Sequence, residues 1–144
     1  MPQEDNVAAF RTLIEEGFNK GNLSTLDELV TTDFQERQNG INPPTLEGLK
    51  RSINSLRTAF PDLNLKIEDI VVDDDRIWAR IKARGTHKGS MMGVPASGKV
   101  ITVDVIDVCR FADGKIAEHW GVADRLGMMQ QIGALPPPQS KQNR

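Results

Sequence analysis

The 144-residue chain has one cysteine, Cys109, two histidines, His87 and His119, and no long apolar run. Each scarcity excludes a class of protein. A lone thiol cannot close an intrachain disulfide, so a disulfide-stapled secreted scaffold is ruled out. Two histidines and one cysteine cannot build a zinc site unless carboxylates are recruited from unrelated positions, and no metal is expected. No stretch approaches the roughly 20 apolar residues that a bilayer core demands. The start, Met1-Pro2-Gln3-Glu4-Asp5-Asn6, lacks the basic and apolar regions of a signal peptide, which makes the cytoplasm the expected compartment. Eighteen basic against twenty acidic residues give a net charge of −2, so the basic excess that binds nucleic acid or an anionic membrane is missing. There is no GxGxxG, Ser97-Gly98-Lys99-Val100 lacks the hydroxyl residue that follows a P-loop lysine, and no GxSxG elbow marks a serine hydrolase.

What is present describes a folding unit. With 38% hydrophobic and 26% charged residues the composition is that of a globular protein, expected as one domain over residues 1–135 with a polar, proline-rich tail over 136–144. Val7, Phe10, Ile14 and Phe18, with Leu13 beside them, recur at steps of three and four and predict a helix ending near Gly21. Ser24 and Asp27 resemble a capping box before a short second helix carrying Leu26, Leu29 and Val30. Thr45 is placed to cap a third helix, with Leu46, Leu49, Ile53 and Leu56 on one face and Pro61 as its stop. From Asn64 the period falls to two, the mark of strands with one buried face. Strands are expected around 65–72, over 76–87, and over 100–111 and 115–123 joined by an Asp113-Gly114 hairpin, with a short helix at 124–132. The glycine-rich segment 87–98 reads as a loop at a sheet edge. Helices followed by antiparallel strands predict an α+β domain with helices packed on one face of the sheet.

The chemistry must come from carboxylates and histidines on strands. Glu118, Trp120, Val122 and Asp124 share a parity, and a carboxylate held beside an indole in an apolar hollow would have its pKa raised toward the range useful for proton transfer. Asp124 reads equally well as the N-cap of the last helix. His87 ends the face carrying Ile77 to Gly85, where it could donate to a substrate oxygen or merely cap the strand. A two-residue Asp113-Gly114 turn sets Asp107 across from Trp120, whereas a three-residue loop turns Asp107 to the other face and leaves Asp104 as its substitute. His119, of opposite parity to Trp120, reads as a surface or dimer-face residue. Met91 and Met92 could close over an apolar ligand or fill a subunit contact.

Together, Arg84-Gly85-Thr86-His87-Lys88-Gly89, Met92-Gly93-Val94-Pro95-Ala96-Ser97-Gly98-Lys99, Phe111-Ala112-Asp113-Gly114-Lys115-Ile116-Ala117-Glu118-His119-Trp120 and the stretch from Gly121 to Ala134 resemble the SnoaL-like polyketide cyclases of the NTF2-like superfamily. The resemblance implies a cone, a curled antiparallel sheet wrapped by about three N-terminal helices around an apolar pocket, and usually a homodimer through the outer sheet face. It implies ring closure of a polyketide ester by intramolecular aldol condensation with neither metal nor cofactor. Asp124 is then the acid/base residue and His87 the Gly-Thr-His histidine. Trp120, Glu118, Asp107, Arg37, Met91, Met92 and Phe18 are the expected contacts to a small apolar or polyketide-like ligand. One departure stands out: where relatives carry an Asp-His-Asn-Pro-like segment, this chain has Gln35-Glu36-Arg37-Gln38-Asn39, with Arg37 in the place of the histidine. Another acid/base enzyme (isomerase, dehydratase or epoxide hydrolase) and a non-catalytic binding module are the rival readings, because a fold does not fix a function.

Overall fold

A computed structural model of the chain describes residues 2–138. The expected tail, 136–144, lies mostly outside the described residues. The first helix, α1 (Pro2–Thr12), runs on into a π-helical segment over Leu13–Asn19. A 3₁₀ turn (Leu23–Thr25) leads into the single turn of α2 (Leu26–Leu29). Phe10, Leu13 and Ile14 are buried, as their spacing requires, with Val7 and Phe18 packed at the margin of the core.

Val30 does not extend the helical stripe. It opens β1 (Val30–Glu36), a strand that the sequence pattern does not announce. The strand lies at a sheet edge and only Val30, Phe34 and Glu36 turn fully inward, so the period-2 signal has too few repeats to register. The helix α3 (Leu46–Ala59) follows, with the Thr45 side chain accepting from Gly48 N as its cap. A side chain at position 48 would collide with the Pro43 carbonyl oxygen, so the glycine that costs helix propensity is what lets the preceding loop pack against the first turn.

The strands β2 (Asn64–Asp73), β3 (Arg76–Thr86), β4 (Val100–Ala112) and β5 (Lys115–Ala123) are antiparallel neighbours, and β1 adds to β5 in parallel, giving the order β1-β5-β4-β3-β2. A short helix, α4 (Arg125–Gln131), closes the chain. On β3 the expected alternation holds: Ile77, Ala79, Ile81, Ala83 and Gly85 are buried, and Trp78, Arg80 and Arg84 are exposed. Burial of these apolar faces against the helices contributes most of the stability, at about 25 cal/mol per Å² removed from water.

The β4–β5 hairpin decides which residues face the interior. Its turn is the expected two-residue Asp113-Gly114, both with positive φ (51° and 79°), as a twisted hairpin favours. The register then shifts between Arg110 and Phe111, because Phe111 pairs with Ile116 while Arg110 pairs with Glu118. Ala117 is therefore an extra residue, and Asp107 faces Gly121 rather than Trp120. A one-residue slip exchanges the faces of a strand.

Candidate active site

Beyond the bulge, His119 and Gly121 point inward, and Glu118, Trp120 and Val122 point outward. The inward placing of Trp120 and Glu118 expected from parity is thus corrected, with the Ala117 bulge as the cause. Trp120 lies on the outer sheet face beneath the Arg76 guanidinium, 5.4 Å from the ring centroid. Glu118 accepts from Arg110 Nε (2.6 Å) and Arg37 Nε (2.8 Å). These arginines, Arg110 first, hold its carboxyl below the usual glutamate range. Arg37 is accordingly tied to Glu118, with its side chain still half exposed. The surface reading of His119 is overturned as well, since only 1% of the residue is exposed.

The neighbours of His119 are two buried acids, Glu36 and Asp107. Its Nδ1 lies 2.8 and 2.9 Å from the Glu36 carboxylate oxygens, and its Nε2 lies 3.3 Å from Asp107 Oδ2 without the alignment of a hydrogen bond. Glu36, at the inward end of β1, is 1% exposed and Asp107 3%. Burial disfavours a charged ring, but the Asp107 and Glu36 carboxylates outweigh it and push the His119 pKa from 6.5 up to about 10. A buried imidazolium between two carboxylates therefore occupies the interior. Cys109, paired with His119 across the hairpin, is fully buried. Burial first, then Asp107 and Glu36, raise its thiol well above its ordinary value, so it stays protonated and is no nucleophile.

Asp107 faces the interior as the two-residue turn anticipated, though opposite Gly121. Asp104 lies outside, 2.6 Å from Lys82 Nζ. Asp124 is exposed and its Oδ1 accepts from Gly127 N at 2.9 Å, the helix-capping arrangement. The indole expected beside it lies on the outer sheet face under Arg76. His87 is fully buried under the 87–98 loop, its ring 5.7 Å from that of Phe60. Ser97 N donates to His87 Nδ1 (3.1 Å), which makes Nδ1 the acceptor and leaves the proton on Nε2. Phe18 packs at the margin of the core and does not line the cavity described next.

A mainly apolar, partly open cavity of about 290 Å³ lies between α3, the inner faces of β3 and β4, and α4. Phe60, Leu63, Ile101, Val103 and Met128 supply apolar wall, Met91 and Met92 its loop side, and Gln38 with Arg125 its polar end. A wider hollow of about 610 Å³ along β1, beside Asp27, Thr31 and Glu47, is open to solvent and lies away from these walls. The described residues include no cluster of three or more His, Cys, Asp or Glu with metal-binding geometry. Sequence reasoning missed Glu36, whose setting beside Arg37 and Gln38 reads as a solvated stretch, and missed His119 through the bulge. Two consecutive buried apolar residues, Ile116 and Ala117, were the available sign of that bulge.

The model of the SnoaL-like polyketide cyclase family matches residues 8–132. The chain belongs to that family. It is 27% identical, over 99% of this chain and 96% of the relative, to the aklanonic acid methyl ester cyclase DauD of Streptomyces sp. strain C5. It is 24% identical to the nogalonic acid methyl ester cyclase of Streptomyces nogalater, over 81% and 89% of the two chains. Among solved structures, TsrD from Streptomyces laurentii superposes with a TM-score of 0.78 at 31% identity, covering 89% of this chain and 97% of its own. The cone of this SnoaL-like protein is thus the family's α+β, NTF2-like architecture. No helix of the described residues is long and apolar enough to cross a membrane.

Proposed function

We propose that this SnoaL-like protein closes a ring in a polyketide-like β-keto ester by intramolecular aldol condensation, with no cofactor, and that Asp107 is the carboxylate that moves the proton. The observation that carries this reading is the buried Glu36–His119–Asp107 system, set into the sheet beside a mainly apolar cavity. A methylene flanked by two carbonyls is acidic enough for a carboxylate to deprotonate. Asp107 takes that proton, and the enolate carbon attacks a second carbonyl of the same molecule. The new C–C bond forms as the carbonyl π pair becomes an alkoxide, which takes the proton back from Asp107. Atoms balance without any co-reactant, so product and substrate are isomers. His119, holding its own proton, stabilises negative charge on Asp107 and on the developing oxyanion rather than acting as a base. The apolar walls exclude water and hold the chain folded for attack.

The names of DauD and its relatives supply the probe, aklanonic acid methyl ester. Incubation in the presence of EDTA should give a product of the same mass and a different chromatographic retention, and Asp107→Asn should slow it about a hundredfold or more. Full activity in Asp107→Asn would overturn the assignment. A second reading, a binding module, draws on the near-complete burial of Asp107 and His119; it predicts retention of the ester with no conversion.

We also propose a homodimer through the outer sheet face, where Val71, Trp78, Ile106 and Val122 are 40–70% exposed. Sedimentation at micromolar protein should show a species of twice 16.0 kDa, and a monomer alone would reject it.

A further inference from the structure

The cavity does not itself touch the buried acids: neither Asp107, Glu36 nor His119 lines it. Gln38 stands between them. Its backbone N–H donates to Glu36 Oε2 (2.9 Å), the same carboxylate that faces His119 Nδ1, so the start of the loop after β1 is tied to the charged system. Its side chain then turns back over Gly121. A Cβ built on Gly121 would collide with Gln38 Oε1 and would lie 2.9 Å from Asp107 Oδ1, so carboxamide and carboxylate converge on one small space that only the missing side chain leaves open. Gln38 is also shared by the walls of the apolar cavity and of a shallow groove beside Asp124 on the protein surface. The carboxamide makes no hydrogen bond to a described residue, although the backbone that carries it is fixed by Glu36 and by Ile41 N, which donates to the Gln38 carbonyl (3.3 Å). It is a polar head on an anchored stem.

We propose that Gln38 is a positioning residue whose carboxamide, seated over Gly121, separates the cavity from the Asp107–His119 pair and is displaced by the substrate's reacting carbonyl. That the displaced group yields to a substrate rests on the cyclase reading above. The separation itself does not, which allows the two to fail independently. Gly121 belongs to the same device, since any larger residue there would expel the carboxamide and crowd Asp107.

The test uses the ¹⁵N-labelled full chain and reads exchange of the His119 ring N–H protons with water, alongside backbone amide exchange in β4 and β5. Ring exchange should be slow in the parent protein. Gln38→Ala should speed it about tenfold or more while the strand amides keep their rates, as expected of a local opening. Gly121→Ala should do the same by taking the space, and Gln38→Met, of similar length, should restore slow exchange. The proposal is overturned if ring exchange in Gln38→Ala equals the parent rate, if it is already fast in the parent, or if ring and strand amides accelerate together. None of these readings needs turnover, so a failure of the cyclase assay leaves them intact and the reverse also holds.

Discussion

The charge on His119 is the feature on which the proposed chemistry turns, and it can be measured directly. A fully buried imidazole loses solvation on protonation, and with nothing else acting its pKa would fall below 6.5. Here Asp107 and Glu36 reverse the sign and lift it to about 10. At pH 7 the neutral fraction is then about one part in a thousand. The sequence has two histidines, so imidazole ¹⁵N resonances belong to His87 and His119 alone and a titration from pH 5 to 11 assigns them. His119 should keep both ring protons through neutrality and lose one near pH 10. Removing either partner's charge, by Asp107→Asn or Glu36→Gln, should bring that transition down. Because the folded-state value lies above the unfolded one, the folded state binds a proton that the unfolded chain releases between pH 6.5 and about 10. Stability from this source is complete below pH 6.5 and is lost as pH rises through 10. At about 1.4 kcal/mol per tenfold, the whole interval corresponds to on the order of 5 kcal/mol, so urea midpoints should fall steadily from pH 7 to pH 10. A ring that is neutral at pH 7, or midpoints that rise over that range, would refute the reasoning, since burial would then outweigh the two carboxylates.

Two further substitutions probe the site and the core. Asp107→Asn and Asp124→Asn should separate cleanly: the first abolishes conversion of the ester with a small change in retention, whereas the second, which keeps a good N-cap, changes turnover by less than about twofold and Tm hardly at all; the opposite pattern in a paired kinetic and melting assay would return the acid/base role to Asp124. Phe10 is fully buried, so Phe10→Ala should cost about 3 to 5 kcal/mol in urea denaturation, and a loss under 1 kcal/mol would contradict its place in the core.

Much of this architecture was legible because long, regularly patterned segments carry their own signal. The Thr45 cap, the Phe10–Ile14 face, the alternation of β3 and the Asp113-Gly114 turn all rest on local chemistry that a sequence displays. The site was less legible because it depends on register between strands. Parity correctly grouped Glu118 with Trp120 and Val122, but could not tell which group faces in; an indole looks like a core residue, and here it lies outside under Arg76. Arg37 drew notice as a replacement, while its neighbour Glu36 carries the inward carboxylate. Met91 and Met92 lie in a loop rather than a strand, so their place beside the cavity does not depend on strand register.

The bulge at Ala117 and the glycine at 121 have linked consequences. Without the extra residue, Asp107 would pair with Trp120, and the strand's inward positions would carry an indole and a carboxylate already claimed by two arginines. With it, the inward positions become His119 and Gly121, one a cation that reconciles two buried acids and the other a vacancy beside Asp107. A buried carboxylate pair would be costly alone, and a buried imidazolium equally so; together they are tolerated because each ring nitrogen faces an acid. The vacancy then gives a neutral carboxamide room beside Asp107, adjoining a mainly apolar cavity. The buried acids and imidazolium thus lie on the sheet side of Gln38, and mainly hydrophobic surface, with Arg125 at its polar end, on the other. A substrate with an apolar body and a reactive dicarbonyl end is the kind of molecule that such a division suits.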